Sequence, residues 1–562
     1  MVFSKEFMKE VKELDQKWLE EYKKYYDGKE YKKTTYSGIQ VKSVYTPEDI
    51  AHLDYKQMAM PGIYPYFRGV YPLTYQAQPW VNQQATAFGL PEQTKERYSK
   101  LSQEGLAGYE GREPVFFMGS DMAHTLGYDS DNPIAKGWVG MTGAAIDTIQ
   151  DYEMLFEGVA LDKRNVTLGM FDTCHIALAN LIVAAERQGI PPEKLHGLTL
   201  NMFYRQMYME IPTFSPRGAL RLNRDFIKYC SEQVPYFNTV NWATYDVTEC
   251  GGNAVQEIAF IFSAIIAITD ECIKIGLNPD KYLSRFAFHV AAHIDFFEVV
   301  AKMRAMRRMW AKLTKERYGC TNPRASKINI NIKTAGVSYT RQQPLNNLMR
   351  GTIETMAAIL GGATSIWTTA YDEALAIPTE QSAILGLRTQ QILLYESGVA
   401  HVSDPLAGSY YVEWLTDKIE DEATKLLKRI EEMGGWMKCM EAGWFKKEVN
   451  REAIAWRRAV DSGEKIMVGM NKFTKEQEPV PVFEYPDVEK TAIERLKKFK
   501  AQRDTKKTMA SIAALRKACI DVNEDRAVGL VMPALVECVR ANATLQEMMD
   551  VLKEVFGWGL ID

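Results

Sequence analysis

PVFFMGS (114–120), NVTLGMF (165–171), GLTLNMF (197–203), TVNWAT (239–244), SRFAFHV (284–290), KININ (327–331), ATSIWTT (363–369) and the weaker HVSDP (401–405) form a series of short β-prone runs. Longer helical stretches separate them, for example AVQEIAFIFSAIIAITDECIKIG (254–276) and NNLMRGTIETMAAILGG (346–362). Eight such alternations within about 300 residues predict parallel strands joined by helical crossovers, an α/β fold closed as a (β/α)8 TIM barrel. An open doubly wound sheet is the competing architecture, but no G-x-G-x-x-G follows any run.

Upstream, Phe7, Val11, Leu14, Trp18 and Tyr22 recur at helical spacing and predict a charged amphipathic helix over 4–26. Residues 46–80 are rich in Pro, Gly and Tyr and lack a helical period. Such a segment cannot form a core alone and reads as an extended arm lying on another surface. Downstream, 416–433 and 440–460 predict long charged helices, and FTKEQEPVPVFEYP (473–486) a Pro-rich linker. Residues 488–506, 507–521, 530–541 and 545–556 predict a small helical module. The expected division is 1–80 helix and arm, 81–415 barrel, 416–472 helical extension, and 473–562 linker and C-terminal helical module.

The 562 residues are 46% hydrophobic and 25% charged, the balance of a soluble globular chain. Lys plus Arg total 68 against 72 Asp plus Glu, a net charge of -4 that gives no reason to expect a nucleic-acid partner. No apolar run reaches the roughly 18–20 residues of a membrane span, and the N-terminus has no signal-peptide core. Eight cysteines without a C-x-x-C pair read as reduced thiols of a cytoplasmic protein.

Barrel sites lie where strands end. The residues just after the runs are Asp121 and His124, Asp172 and His175, Glu210, Asp246 and Glu249, His289 and His293, Lys333, and Asp372 and Glu373. The competing reading makes about half of them solvated or helix-capping groups. His289 and His293 stand at i, i+4, but Val290 replaces the glutamate that zinc proteases need, so no metal is expected. Asp121-Met-Ala-His124-Thr-Leu-Gly127 looks like a shifted cobalt-ligating D-x-H-x-x-G, with the Asp one residue too far from the His. P-loop and G-x-S-x-G motifs are absent.

GYDSDNP (127–133) with VGMTGAAIDT (139–148) resembles the barrel-bearing part of the adenosylcobalamin-dependent methylmalonyl-CoA mutases. So do VYTPEDIAHLDY (44–55), AKMRAMRRMWAKL (301–313), TAYDEALAIPTEQSA (369–383), ESGVAHVSDPLAGSYYVE (396–413), IEEMGGWMK (430–438) and DSGEKIMVGMNKF (461–473), all in the family's order. The resemblance implies the barrel, the arm threading toward it, and a radical 1,2-rearrangement started by homolysis of a cobalt–carbon bond. No cobalamin-binding domain is read in this chain. That resembles the split members, such as the 2-hydroxyisobutyryl-CoA and isobutyryl-CoA mutases, and implies a separate small cobalamin-binding subunit, which supplies the cobalt ligand, in a hetero-oligomer or dimer.

By the resemblance, Glu249 and Glu373 fall on the glutamates that hold the adenosyl ribose, with Thr369 and Asn331 beside the cofactor. The substrate side departs from the family. Gln78 and Gln83 stand where it has arginines, Ala85 where it has tyrosine, and Leu200 where T-I-Q-N has its glutamine. Glu210 aligns with the arginine that meets a substrate carboxylate, and Asp246 with the histidine that meets the thioester carbonyl. Lys333 replaces the glutamine of H-C-Q-T, and His289 a phenylalanine. Asp246, Glu210, His289 and Lys333 are thus the catalytic candidates. Gln78, Gln83, Ala85, His124, Asp172, Leu200 and His293 are the substrate-binding ones. Loss of guanidiniums and gain of carboxylates predict an acidic cavity for a polar or cationic small molecule that need not be a coenzyme A ester. The alternatives are an acyl-CoA mutase with unusual contacts and a non-catalytic paralogous subunit.

Overall fold

A computed structural model describes residues 3–26, 33–106, 115–476 and 479–560. Pro114 of the first predicted run and residues 477–478 of the predicted linker lie outside them. Eight parallel barrel strands stand among the described residues. They are β1 (Val81–Gln83), β2 (Phe116–Gly119), β3 (Asn165–Gly169), β4 (His196–Thr199), β5 (Phe237–Asn238 and Val240–Ala243), β6 (Phe286–Ala292), β7 (Ile330–Thr334) and β8 (Ser365–Trp367). One ladder runs β1-β8-β7-β6-β5 and the other β2-β3-β4-β5, so the two share β5, which is broken at Thr239. Between β1 and β2 the seam is bridged by the Thr86 hydroxyl, which donates to the Phe117 carbonyl at 2.7 Å.

The strand count corrects one expectation. HVSDP (401–405) forms bends and turns rather than a strand. Asp404 there accepts from Arg68 at 2.8 Å and from Arg304, so the segment is an anchor for arginines. The eighth strand is instead β1, at the end of the arm, paired with β8 through Asn82 and Ile366.

Alternation along the strands explains both core and bore. On β7, Ile330 and Ile332 are fully buried toward the helical ring, leaving Asn331 and Lys333 to face the axis. On β6, Phe288 packs on Trp310 of the helix Phe296–Lys312, with ring centroids 5.1 Å apart, while Ala287 and Ala291 face inward. Small inward residues leave a bore that larger ones would fill.

The predicted N-terminal helix spans Lys5–Tyr26. The arm lies across the barrel's outer helices. Arg307 donates twice to the Phe67 carbonyl (3.2 and 2.8 Å), and Tyr75 donates to the Ile359 and Ala363 carbonyls (3.0 and 2.8 Å). Helices Tyr410–Glu432, Gly435–Glu441 and Trp444–Asp461 extend the barrel. The C-terminal module comprises Glu489–Gln502, Thr505–Asn523, Val531–Arg540 and Leu545–Phe556. It docks through reciprocal bonds between Asp129 and Gln546 (3.0 and 2.9 Å). Among the described residues, no helix is long and apolar enough to cross a membrane.

One buried carboxylate fixes the exits of β5 and β6. Glu257 accepts from the Thr244 hydroxyl, the Ala291 N–H (3.1 Å), the Thr248 hydroxyl (3.1 Å) and the Lys302 ammonium. Lys302 also donates to the Ala291 carbonyl at 2.7 Å. Removing one partner of such a pair strands the other's charge. Lys302→Met should therefore cost about 3–5 kcal/mol, and the double variant Glu257→Gln/Lys302→Met less than the single one. Urea unfolding followed by tryptophan fluorescence measures both.

Candidate functional site

The strand exits bring together a compact charged group. β5 leads into the short helix Tyr245–Glu249, β7 into Gly336, and β8 into the turn that carries Glu373. Gly336 is where the two glutamates approach each other. A Cβ there would lie 3.2 Å from Glu249 Oε2 and 3.4 Å from Glu373 Cγ, so a side chain would crowd both carboxylates. Lys333 donates to Glu373 Oε1 at 2.9 Å, and its ammonium lies 4.9 Å from the Tyr245 ring and 5.0 Å from the Trp367 ring.

Electrostatics differentiates these groups. Lys333 opposes its own burial with the charges of Glu373 and Glu249 and the Tyr245 phenol, and its affinity for the proton rises well above that of a free lysine. Burial pushes Glu249 up against the pull of Lys333, and its Oε1 is buried with no hydrogen-bond partner. Burial pushes the Asp246 carboxyl up to about 7, with the Glu249 charge adding and Arg205 and Lys333 opposing. Burial and then Lys333 push His289 down to about 3, so it is a neutral imidazole beside Tyr245, with ring centroids 5.5 Å apart. An orphaned carboxylate oxygen beside a glycine, with a second carboxylate opposite, suits the vicinal hydroxyls of a ribose.

Several expected site residues lie elsewhere. Glu210 is on the surface, its side chain 72% exposed and 3.5 Å from Lys446, because the chain turns outward after β4. His124 is fully buried between Asp121 (2.7 Å) and Asp147 (3.2 Å) beside the docked C-terminal module. Its two carboxylates outweigh burial and keep it protonated, a structural ion triad closed to substrate. Asp172 is occupied by Arg205 and by the Thr213 hydroxyl at 2.5 Å. His293 is buried under Tyr36 of the arm's hairpin, with ring centroids 4.1 Å apart. Thr369 donates its hydroxyl to the Thr334 carbonyl (2.6 Å) and so ties β8 to β7. Asn331 faces the bore two residues below Lys333, accepting from Ser365 at 2.6 Å, and is no part of the rim. Ala85 follows β1, and Leu200 follows β4 and is bonded to the Leu168 carbonyl.

At the opposite end, a cavity of about 670 Å³ opens where the strands begin. Gln78 and Gln83 line it, and so do Arg285, Arg324 and Lys327. None of these three cations forms an ion pair among the described residues. Arg285 packs on the Tyr236 ring at 5.5 Å, and Lys327 on the Tyr66 ring at 5.2 Å. Sequence reasoning missed them because it read only strand exits. Their signal was present: Arg285 immediately precedes the FAFHVAA run, and Arg324 and Lys327 precede ININ. Arg205, over the Phe171 ring at 4.8 Å, was missed likewise.

Because Asp246 titrates far above an ordinary aspartate, it holds its proton at pH 6 and loses it by pH 8. Infrared difference titration should show a protonated-carboxyl band that fades with a midpoint near 7 and is missing in Asp246→Asn. An Asp246 already ionised at pH 6 would contradict this.

Residues 34–558 match the protein-family profile described as methylmalonyl-CoA mutase. The 2-hydroxyisobutanoyl-CoA mutase large subunit of Aquincola tertiaricarbonis is 36% identical over 527 residues, 93% of this chain and 92% of that one. The mitochondrial methylmalonyl-CoA mutase of Homo sapiens is 35% identical over 93% of this chain and 68% of its own length. The methylmalonyl-CoA mutase of Rhizobium meliloti is 34% identical, with 93% and 72% covered. With the profile spanning nearly the whole chain and relatives of this identity aligned along it, the chain belongs to the methylmalonyl-CoA mutase family, a family of isomerases.

Proposed function

We propose that the chain is the large, substrate-binding subunit of an adenosylcobalamin-dependent acyl-CoA mutase, with a separate small cobalamin-binding subunit as partner. The observation that carries the acyl-CoA reading is the cationic cavity at the strand starts. Arg285, Arg324 and Lys327 offer phosphate groups the guanidinium and ammonium donors that Gln78 and Gln83 lack. Asn331, which also lines that cavity, is followed two residues on by Lys333, beneath Glu249 and Glu373. A ligand with phosphates at the lower mouth and a thioester at the upper layer would lie along this line of residues. The acidic-cavity expectation loses its support, since Glu210 is outside and Asp172 is paired with Arg205.

Adenosylcobalamin, when bound, supplies the adenosyl radical that opens the rearrangement. The chain's own residues do the rest. Glu249 and Glu373 accept hydrogen bonds from the ribose hydroxyls and orient the adenosyl group. Lys333 holds Glu373 in place by donating to its Oε1. Asp246, protonated near neutral pH, has a proton to donate to an oxygen. The closed barrel keeps water and foreign C–H bonds from a radical. Likeness to the large subunit of a two-subunit mutase supports the small partner. Eight free cysteines suit a reducing compartment, and cytoplasmic location is part of the proposal.

Calorimetry tests the reading directly. Coenzyme A should bind the full chain saturably, and Arg285→Ala/Arg324→Ala should weaken binding roughly 10–100-fold, the range of one or two charge-assisted hydrogen bonds. Absence of binding by the unmodified chain would sink the acyl-CoA reading. In the two-subunit enzyme, Glu249→Gln should cut turnover at least tenfold, because a charged hydrogen bond is worth about 1.5–3 kcal/mol.

A further inference from the structure

The layer of the bore beneath the two glutamates is walled mainly by rings. Phe117 packs edge-on against Trp367, and Tyr245 against His289, each pair with centroids 5.5 Å apart. Lys333 stands between Trp367 and Tyr245, its ammonium against both faces. His289 is neutral and Asp246 keeps its proton to about pH 7; Arg205, whose charge also reaches Asp246, is paired with Asp172, which leaves Lys333 as the cation set among these rings. Its charge is already matched by Glu373 at 2.9 Å.

That balance discriminates between acyl groups. The ammonium has three donors, and Glu373 takes one of them. A carbonyl oxygen can accept another and receive a charge-assisted bond with no change in net charge. A carboxylate on the acyl group would place a second negative charge beside one positive charge in a site shielded from water. It would also lie close to the two glutamates that flank Gly336. Burying an unmatched carboxylate is strongly unfavourable.

Resting on the coenzyme A reading above, we infer that the substrate is a thioester of an uncharged acyl group and that Lys333, held by Glu373, determines this specificity. Lys333 donates to the acyl carbonyl oxygen, and no positive charge is left free for a second carboxylate.

Calorimetry of the full chain with three probes decides the matter: coenzyme A, isobutyryl-CoA and methylmalonyl-CoA. The unmodified chain should bind isobutyryl-CoA at least tenfold more tightly than methylmalonyl-CoA. Lys333→Met should erase the advantage of isobutyryl-CoA over free coenzyme A. Glu373→Gln, which removes the carboxylate hydrogen-bonded to the lysine and leaves only the more distant Glu249 charge, should shift the preference at least tenfold toward methylmalonyl-CoA. Free coenzyme A, held at the other end of the bore, should bind all three proteins within about twofold and so reports that they are folded. A variant that loses free coenzyme A has lost its structure, and the ratio in the unmodified chain then decides alone. Equal or tighter binding of methylmalonyl-CoA by the unmodified chain overturns the inference. So does an unmoved ratio in a folded Glu373→Gln. Failure of all three probes to bind is a different result and overturns the coenzyme A reading itself.

Discussion

The Glu257 carboxylate is the constraint on which the upper rim depends. It lies at zero exposure on the helix Ala254–Lys274 and gathers donors from three directions. Thr244 and Thr248 bind it from the β5 exit, the Ala291 N–H from β6, and Lys302 from the next barrel helix. A charge buried this deeply is tolerable only when every lone pair is matched, and such a network permits one arrangement of its donors. Glu249 lies on the five-residue helix that begins one position after Thr244. A helix that short has no stability of its own. Its direction, and with it the orientation of Glu249 toward Gly336, is set by Glu257 behind it.

The bore follows from a second constraint, the sizes of inward residues. Barrels of eight strands are normally filled by branched side chains. Here Ala287 and Ala291 on β6 and Gly119 and Gly169 on neighbouring β2 and β3 leave the axis open. A Cβ at Gly169 would press on the Met118 carbonyl and the Phe117 ring at 3.1 Å, so a side chain there needs those neighbours to give way. Polar groups stand at two depths of the bore, Asn331 low and Lys333 above it, with the free cations at the bottom mouth. A long ligand with an anionic end therefore has one favourable direction of entry.

Much of this was legible in the sequence. Seven of the eight strands announce themselves as β-prone runs, and reading strand exits led to Glu249, Glu373, Lys333 and Asp246. The misreadings have physical causes. β1 is only Val81-Asn82-Gln83, too short and too polar to register as a strand, and it exists because β8 offers it a ladder. HVSDP is the weakest of the runs, with Val402 its one strand-forming residue, and Asp404 is drawn to two arginines. His124 and Asp172 follow strands as site residues do, yet each meets an opposite charge before it can meet a ligand. Asp172 and its Arg205 stand 33 positions apart in the chain, and nothing in that spacing announces the pair.

The exchanges at Gln78, Gln83, Glu210 and Asp246 show why charge must be counted in space. Taken as letters, three lost arginines and two gained carboxylates sum to an acidic cavity. In the fold, Glu210 drops out because it faces solvent, and Asp246 carries no charge through most of the range below neutrality because burial raises it. Gln78 and Gln83 line a mouth that Arg285, Arg324 and Lys327 line as well. Lys333, already visible as a lysine in place of glutamine, adds a positive charge, and Glu373 pairs with it. The lower mouth is thus positive, the reverse of the polarity that substitution counting implied. What the pocket accepts is governed by these pairings, since an interaction between charges depends on separation and burial, and neither is written in the identity of a residue alone.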